Sequence, residues 1–207
     1  MKSRRLLLIV LFILVIFTLI LSAKEVRFDF RKANWGMTIE QVKASEDKKP
    51  DFEGEVTSGF VLSYEVQIDS KDYYCVYFFL EDKLYNSGYA FSKNHTNKND
   101  YIQDYEELKE LLTKKYGEPS KKKLLSLYDR EEIYWGYELY KDDEGDWGLA
   151  ISVGELSYVS IWETPTTEIE LILDGDNYEI NLRIIYISKE LKEWSDKILE
   201  DKAQLAL

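Results

Sequence analysis

Residues 60–91 read FVLSYEVQIDSKDYYCVYFFLEDKLYNSGYAF. In the first part Phe60, Leu62, Tyr64, Val66 and Ile68 alternate with Val61, Ser63, Glu65, Gln67 and Asp69. Successive side chains on a strand point to opposite faces, so this pattern predicts a strand over 60–68 with one face buried. Ser70-Lys71-Asp72 breaks it. Residues 73–80 are apolar on both faces, which predicts a central strand covered twice. Glu81-Asp82-Lys83 then turns the chain into a strand at 84–91. Turns this short leave no room for a crossover helix, so the three strands form an antiparallel meander.

Upstream of the meander, Thr38 and Gln41 have the spacing of a capping box and predict a helix over 38–45, with Met37 and Val42 as its hydrophobic staple. Residues 48–59 are polar and read as a loop. Downstream, 100–116 is a helix with an apolar stripe of Tyr105, Leu108, Leu111, Leu112 and Tyr116. Asp100 and Gln103 suit a second capping box, Glu110 and Lys114 an i,i+4 pair, and Gly117 and Pro119 end the helix. More strands are expected at 124–128, 132–140, 147–153, 156–162, 168–173 and 178–187, with Asp174-Gly175-Asp176-Asn177 as a hairpin turn. Ser188 caps a C-terminal helix carrying Leu191, Trp194 and Ile198. The class is therefore α+β, with antiparallel sheet built in helix-plus-meander units. The unit occurs twice, which leaves a duplicated arrangement open, although no residue-level repeat supports it. One domain is expected over 24–207, with a subdivision into 24–98 and 99–207 left open.

Residues 1–23 have a different character. Lys2, Arg4 and Arg5 precede an uncharged run, LLLIVLFILVIFTLIL, at 6–21. This is the layout of a secretory leader. The run through Ala23 is also about 27 Å long as a helix, close to a hydrocarbon core of about 30 Å. Cleavage after Ala23 and retention as an N-terminal anchor both stand, and either puts the remainder outside the cytoplasm. Without the three leader cations the net charge moves from −12 to −15. Such a chain repels phosphate backbones, so nucleic acid is not an expected partner.

The composition narrows the chemistry. Cys75 is the single cysteine, so no intramolecular disulfide forms, and its apolar strand predicts a buried, inert thiol. His95 is the single histidine and lies in a polar loop, where a solvated side chain is expected. No zinc ligand set, phosphate loop or dinucleotide fingerprint is present, and no cofactor is expected. The acidic turn at 142–146 lacks the register of a calcium loop, because Trp147 stands where glycine is needed. The candidate binding residues are aromatic. Trp135 and Tyr137 share one strand face, and Tyr158 and Trp162 share another. Exposed, they would form a platform for a peptide, a glycan or a partner protein; buried, they are core.

Two stretches carry a resemblance. Asn34-Trp35-Gly36-Met37-Thr38, with Glu40, Gln41 and Val42, is similar to the WGM-S/T-xx-xV opening of many small exported bacterial proteins. Leu111-Leu112 through Lys115-Tyr116-Gly117-Glu118-Pro119 resembles the LxxKYGxP helix end of the same proteins. Gly154, Trp162-Glu163-Thr164, Thr167-Glu168-Ile169 and residues 184–186 fit their later pattern. Gly36-Met37-Thr38, Gln41 and Val42 also resemble the opening helix of small outer-membrane assembly lipoproteins and of beta-lactamase-inhibitor-like domains. The chain departs from the lipoproteins in having no cysteine near Ala23 and no Gly-x-Pro after the helix. The resemblance implies an extracytoplasmic α+β interaction domain and carries over no catalytic residue. The expected function is a non-enzymatic module that binds an envelope protein or glycan and reaches the membrane through its N-terminal segment. The rivals are a carboxylate-dependent hydrolase acting on an envelope glycan and a purely structural cell-surface module.

Overall fold

The computed structural model describes residues 27–126 and 147–205. The leader, the strand expected at 132–140 and the acidic turn at 142–146 lie outside them. Among the described residues no helix is long and apolar enough to cross a membrane.

The N-terminal half begins with helix α1 (Ile39–Ser45). Its capping box forms as the sequence predicts: the Thr38 hydroxyl accepts from the Gln41 amide at 3.2 Å, and the Gln41 side chain accepts from the Thr38 amide at 2.9 Å. Four strands follow: β1 (Phe52–Val56), β2 (Gly59–Ile68), β3 (Lys71–Leu80) and β4 (Lys83–Phe91). The meander thus has one strand more than expected, because β1 forms where a loop was read. Its sequence FEGEV has no buried position, so its own pattern could not announce it; pairing to β2 holds it as an edge strand.

The C-terminal half repeats the plan. Helix α2 (Asp100–Tyr116) is followed by β5 (Lys121–Ser126), α3 (Trp147–Ser152), β6 (Leu156–Glu163), β7 (Thr167–Asp176), β8 (Glu179–Ser188) and α4 (Lys192–Leu205). One element is corrected: 147–153, expected as a strand, is helix α3. The alternation of Trp147, Leu149, Ile151 and Val153 suggested period two. The residues that are buried, Gly148, Ala150, Ile151 and Ser152, instead follow helical spacing, and Leu149 is 50% exposed. On α2 the buried stripe is Tyr101, Asp104, Tyr105, Leu108 and Leu112, while Leu111 points outward at 40% exposure. The expected capping box at Asp100 does not form. The N-cap is Asn99, whose side-chain oxygen accepts from the Gly148 amide at 2.7 Å and so ties α2 to α3.

The eight strands among the described residues join one antiparallel sheet in the order β1-β2-β3-β4-β8-β7-β6-β5. Each half is a helix followed by four strands that are neighbours in the sheet, with α3 and the undescribed residues 127–146 between β5 and β6 in the second, and the halves meet where β4 pairs with β8, from Asn86 opposite Ile187 to Ala90 opposite Arg183. The duplicated arrangement left open by the sequence is therefore present in the topology. Three hairpins turn through two residues, each in the left-handed region: Asp69-Ser70 (φ 49° and 64°), Glu81-Asp82 (47° and 58°) and Asn177-Tyr178 (50° and 66°). Such turns match the twist of the strands they join. The last hairpin consequently turns at Asn177-Tyr178, later than the expected four-residue turn. Gly175 lies inside β7, where an added Cβ would stand 2.4 Å from the Ile151 carbonyl oxygen and 2.5 Å from that of Glu179. Glycine there lets α3 approach the sheet.

The core lies on one face of the sheet. Leu62, Tyr64, Cys75, Tyr77, Phe79, Ile169, Leu171, Leu173, Leu182, Ile184 and Tyr186 face α1, α2 and α3. The expectation that β3 is covered twice is only half met. Its inner residues are buried, but on the outer side Tyr74 is 43% exposed and Val76 and Phe78 are half-buried. Helix α4 crosses one end of that outer face. The Ser188 hydroxyl accepts from the Leu191 amide, Lys192 pairs with Glu168 at 2.6 Å, Lys83 sits 5.1 Å over the Trp194 ring, and Leu199 and Ala203 line a shallow pocket with Val56 and Ser58. Where α4 lies, Val61, Leu80 and Tyr85 are buried.

Candidate functional site

Of the aromatic residues singled out by the sequence, the two that are described, Tyr158 and Trp162, lie on the inner face of the sheet. Trp162 is 1% exposed on the inner face of β6, and its ring N–H donates to the Gly117 carbonyl at 2.8 Å. Tyr158, two pleats away on the same face, packs against Tyr105 and Trp147 with ring centroids 5.4 and 6.2 Å apart. Both therefore belong to the core beneath α2 and α3. Trp135 and Tyr137 lie outside the described residues.

His95 is not the solvated loop side chain that was expected. Its side chain is 12% exposed, stacked 5.9 Å from the Phe91 ring and edge-on to Tyr101 at 4.8 Å. Its Nε2 is 2.5 Å from Asp104 Oδ2, and Lys71 Nζ is 2.5 Å from Asp104 Oδ1 and from Glu107 Oε2. The loop at 92–99 folds back onto the first turns of α2, a contact that local polarity cannot reveal. Burial draws the Lys71 ammonium downward, but hydrogen bonds to Asp104 and Glu107 outweigh it and raise its pKa. The Glu107 carboxyl is lowered by Lys71 in turn. Aromatic rings and carboxylates surround the imidazole, an arrangement that anchors the loop.

Cys75 is fully buried, and burial pushes its thiol up to about 12, so the thiolate needed for nucleophilic chemistry is suppressed. Beside it, Glu46 accepts both Arg31 Nε at 2.8 Å and Arg31 Nη2 at 2.9 Å, and also the Tyr77 hydroxyl. This cluster ties the N-terminal segment and the end of α1 to β3. Among the described residues no group of three or more His, Cys, Asp or Glu side chains is placed to hold a metal ion.

Among the described residues, one apolar surface on each face of the sheet is a candidate. On the outer face, a groove of about 350 Å³ runs over β3, β4 and β8, floored by Val76, Phe78, Gly88, Ala90 and Ile185. Beyond it Ile172, Val159 and Ile161 continue the half-buried aliphatic surface across β7 and β6. Arg183 closes one end, held to Asp174 by two bonds of 2.6 Å. Glu170 stands on the same face; burial, and then the charge of Glu168, push its carboxyl up. A raised acid destabilises the fold once ionised, so the penalty is absent below the ordinary carboxylate range and complete above the folded-state pKa. Glu170→Gln is accordingly expected to raise the thermal midpoint at pH 7 and to lose that advantage as the pH falls below the ordinary carboxylate range. Melting curves at both pH values check this, and an equal gain at both would contradict it.

On the inner face, a cleft of about 840 Å³ opens where the two halves meet. The N-terminal segment 27–34, Tyr89 of β4, Lys115 and Tyr116 at the end of α2, the turn at 164–167, and Ile169 and Tyr186 line it. Sequence reasoning missed these residues, because the β4–β8 pairing alone brings them together. Asp29 fixes one wall: its carboxylate accepts from the Thr166 hydroxyl at 2.6 Å and from the Trp35 amide at 3.0 Å. The Trp35 ring N–H donates to the Thr167 hydroxyl at 3.0 Å. Burial raises Tyr186 well above the usual phenol range, helped by its neighbour Tyr116, and holds Tyr89 up at about 12, so both phenols stay neutral. Comparisons with known protein families, with curated proteins and with solved structures find no match to this chain.

Proposed function

We propose that the chain is a non-enzymatic, extracytoplasmic binding module that seats a partner protein on the outer face of its sheet. The observation that carries this reading is the half-exposed aliphatic surface of Val76, Phe78, Ala90 and Ile185, continued by Ile172, which α4 leaves open. Contiguous apolar surface of this kind on a globular domain marks an interaction site more often than a scattered exposed residue does. The Arg183–Asp174 pair beside it supplies the charged rim typical of such sites. The leader-like residues 1–23 and the resemblance of the Trp35-Gly36-Met37-Thr38 opening support an extracytoplasmic location. The hydrolase rival has less support. Glu170, the acid pushed upward by burial, stands on an open sheet face, and its neighbour Glu168 is held by Lys192.

Threonine at positions 78 and 185 puts a β-branched side chain of high strand propensity at each position while removing apolar contact surface. Wild type and the Phe78→Thr/Ile185→Thr variant, used as affinity baits against envelope extracts, are expected to differ. The variant loses a protein that wild type and a Lys115→Glu control both retain, with its circular dichroism unchanged. Identical capture by all three would overturn the reading.

A further inference from the structure

The inner cleft has a chemistry of its own, and it differs from that of the rest of the molecule. Its floor is apolar and aromatic, from Phe30, Ile169, Tyr89 and Tyr186. Its rim carries Arg27, Arg31 and Lys115 against one acid, Asp29, in a chain of net charge −12. The polar groups of one wall are already engaged with one another, since Asp29 holds Thr166 and Trp35, and Trp35 holds Thr167. A neutral polyol such as a glycan would find few groups left to answer its hydroxyls. Arg31 is committed to Glu46. Lys115 differs: among the described residues it makes no ion pair and rests only over the Tyr116 ring, 4.9 Å from its centre. An unpaired ammonium at the mouth of an aromatic-floored cleft selects an anion attached to an apolar body. The volume lies within the range of small-ligand sites, roughly 300–1,000 Å³.

We propose that this cleft binds an anionic amphiphile, with a carboxylate or phosphate head against Lys115 and an apolar body laid over Phe30, Tyr89, Tyr186 and Ile169. The site is separate from the outer sheet face and does not depend on it. A membrane lipid and a free single-chain amphiphile share this chemistry. Arg27 stands four residues beyond Ala23, a stretch that spans at most about 14 Å when extended. A retained leader would therefore hold the mouth of the cleft near the headgroups of its own bilayer.

The test uses the full chain held in a neutral amphipol, titrated with dodecyl phosphate below its micelle concentration and followed by intrinsic fluorescence and equilibrium dialysis. Saturable binding of one molecule per chain is expected, at least tenfold weaker in Lys115→Glu and unchanged in Phe78→Thr. Inorganic phosphate and dodecyl maltoside are expected to bind at least tenfold more weakly than dodecyl phosphate. A second arm identifies the source by amine labelling of Lys115 in nanodiscs with and without phosphatidylglycerol. Protection by phosphatidylglycerol assigns a membrane lipid; saturable dodecyl phosphate binding without that protection assigns a free amphiphile. Absence of saturable binding, equal affinity in Lys115→Glu, or equal affinity for the uncharged amphiphile overturns the proposal.

Discussion

Replacing Trp162 with alanine is expected to lower the unfolding free energy by about 3–5 kcal/mol, the range for deleting a large buried aromatic side chain. The indole is 1% exposed and faces Ile169 across the β6–β7 pair. Its N–H reaches the carbonyl of Gly117, the residue that ends α2 at a positive φ of 85°. One side chain thus fills space between sheet and helix and satisfies an end-of-helix carbonyl. Alanine leaves a cavity and an orphaned acceptor at once. Phenylalanine at 162 restores part of the volume but not the donor, and should cost about 1–3 kcal/mol. Urea unfolding followed by far-ultraviolet circular dichroism measures both. A loss below about 1 kcal/mol for Trp162→Ala would show that the α2–β6 contact matters little. Since domains are typically stable by about 5–15 kcal/mol, the alanine variant is expected to sit close to the folding threshold.

The second large effect is expected at Asp104, which is 5% exposed and answers two cations or donors with its two oxygens. Asp104→Ala strips His95 of its nearest carboxylate, leaving Asp100 at 3.8 Å, and leaves Lys71 with Glu107. Breaking a buried charge pair costs about 3–5 kcal/mol, but Lys71 is 30% exposed and water repays part of the loss. About 2–3 kcal/mol is the expected result. Because His95 and Asp104 touch, a double-mutant cycle with His95→Ala should show a coupling of at least about 0.5 kcal/mol, where distant sites would add. Hydrogen exchange should accelerate across 92–99 in the single Asp104 variant. Strict additivity, with unchanged exchange, would mean that the loop is held by Phe91 and Tyr101 alone.

What the sequence could announce depended on whether a residue's partner lay nearby. The α1 capping box, the α2 span, the β2–β4 strands and the β7–β8 pair are written in local alternation and capping chemistry and form as read, although the β2–β3 and β7–β8 hairpins turn a residue or more away from the expected positions. Strand β1 was missed because an edge strand with exposed residues on both sides carries no alternation to read. Helix α3 was misread because six residues give period two and period 3.6 almost equal support; Gly148, Ile151 and Ser152, buried at i, i+3 and i+4, decide it. His95 looked solvated because the residues that bury it lie on α2 and β4. The cleft was invisible for the same reason: Arg31, Tyr89, Lys115 and Tyr186 become neighbours only after two halves of a sheet join. Tyr158 and Trp162 were visible as aromatic, but alternation alone could not say which side of the sheet received them.

The β4–β8 seam has a consequence for how the molecule comes into being. Strands β1 to β4 are linked by tight turns and can zip together early, yet one side of β4 keeps its backbone groups unpaired until residues far along the chain arrive. Ala90 must wait for Arg183. Contacts separated so widely are slow to form, since the intervening chain must first be brought to order. A polypeptide threaded through a membrane pore from its N-terminus would expose that half-built edge during transit, where another chain could add to it. On a route through such a pore, escort by a holding factor, or passage quick enough to outrun such pairing, would be a requirement that the topology itself imposes.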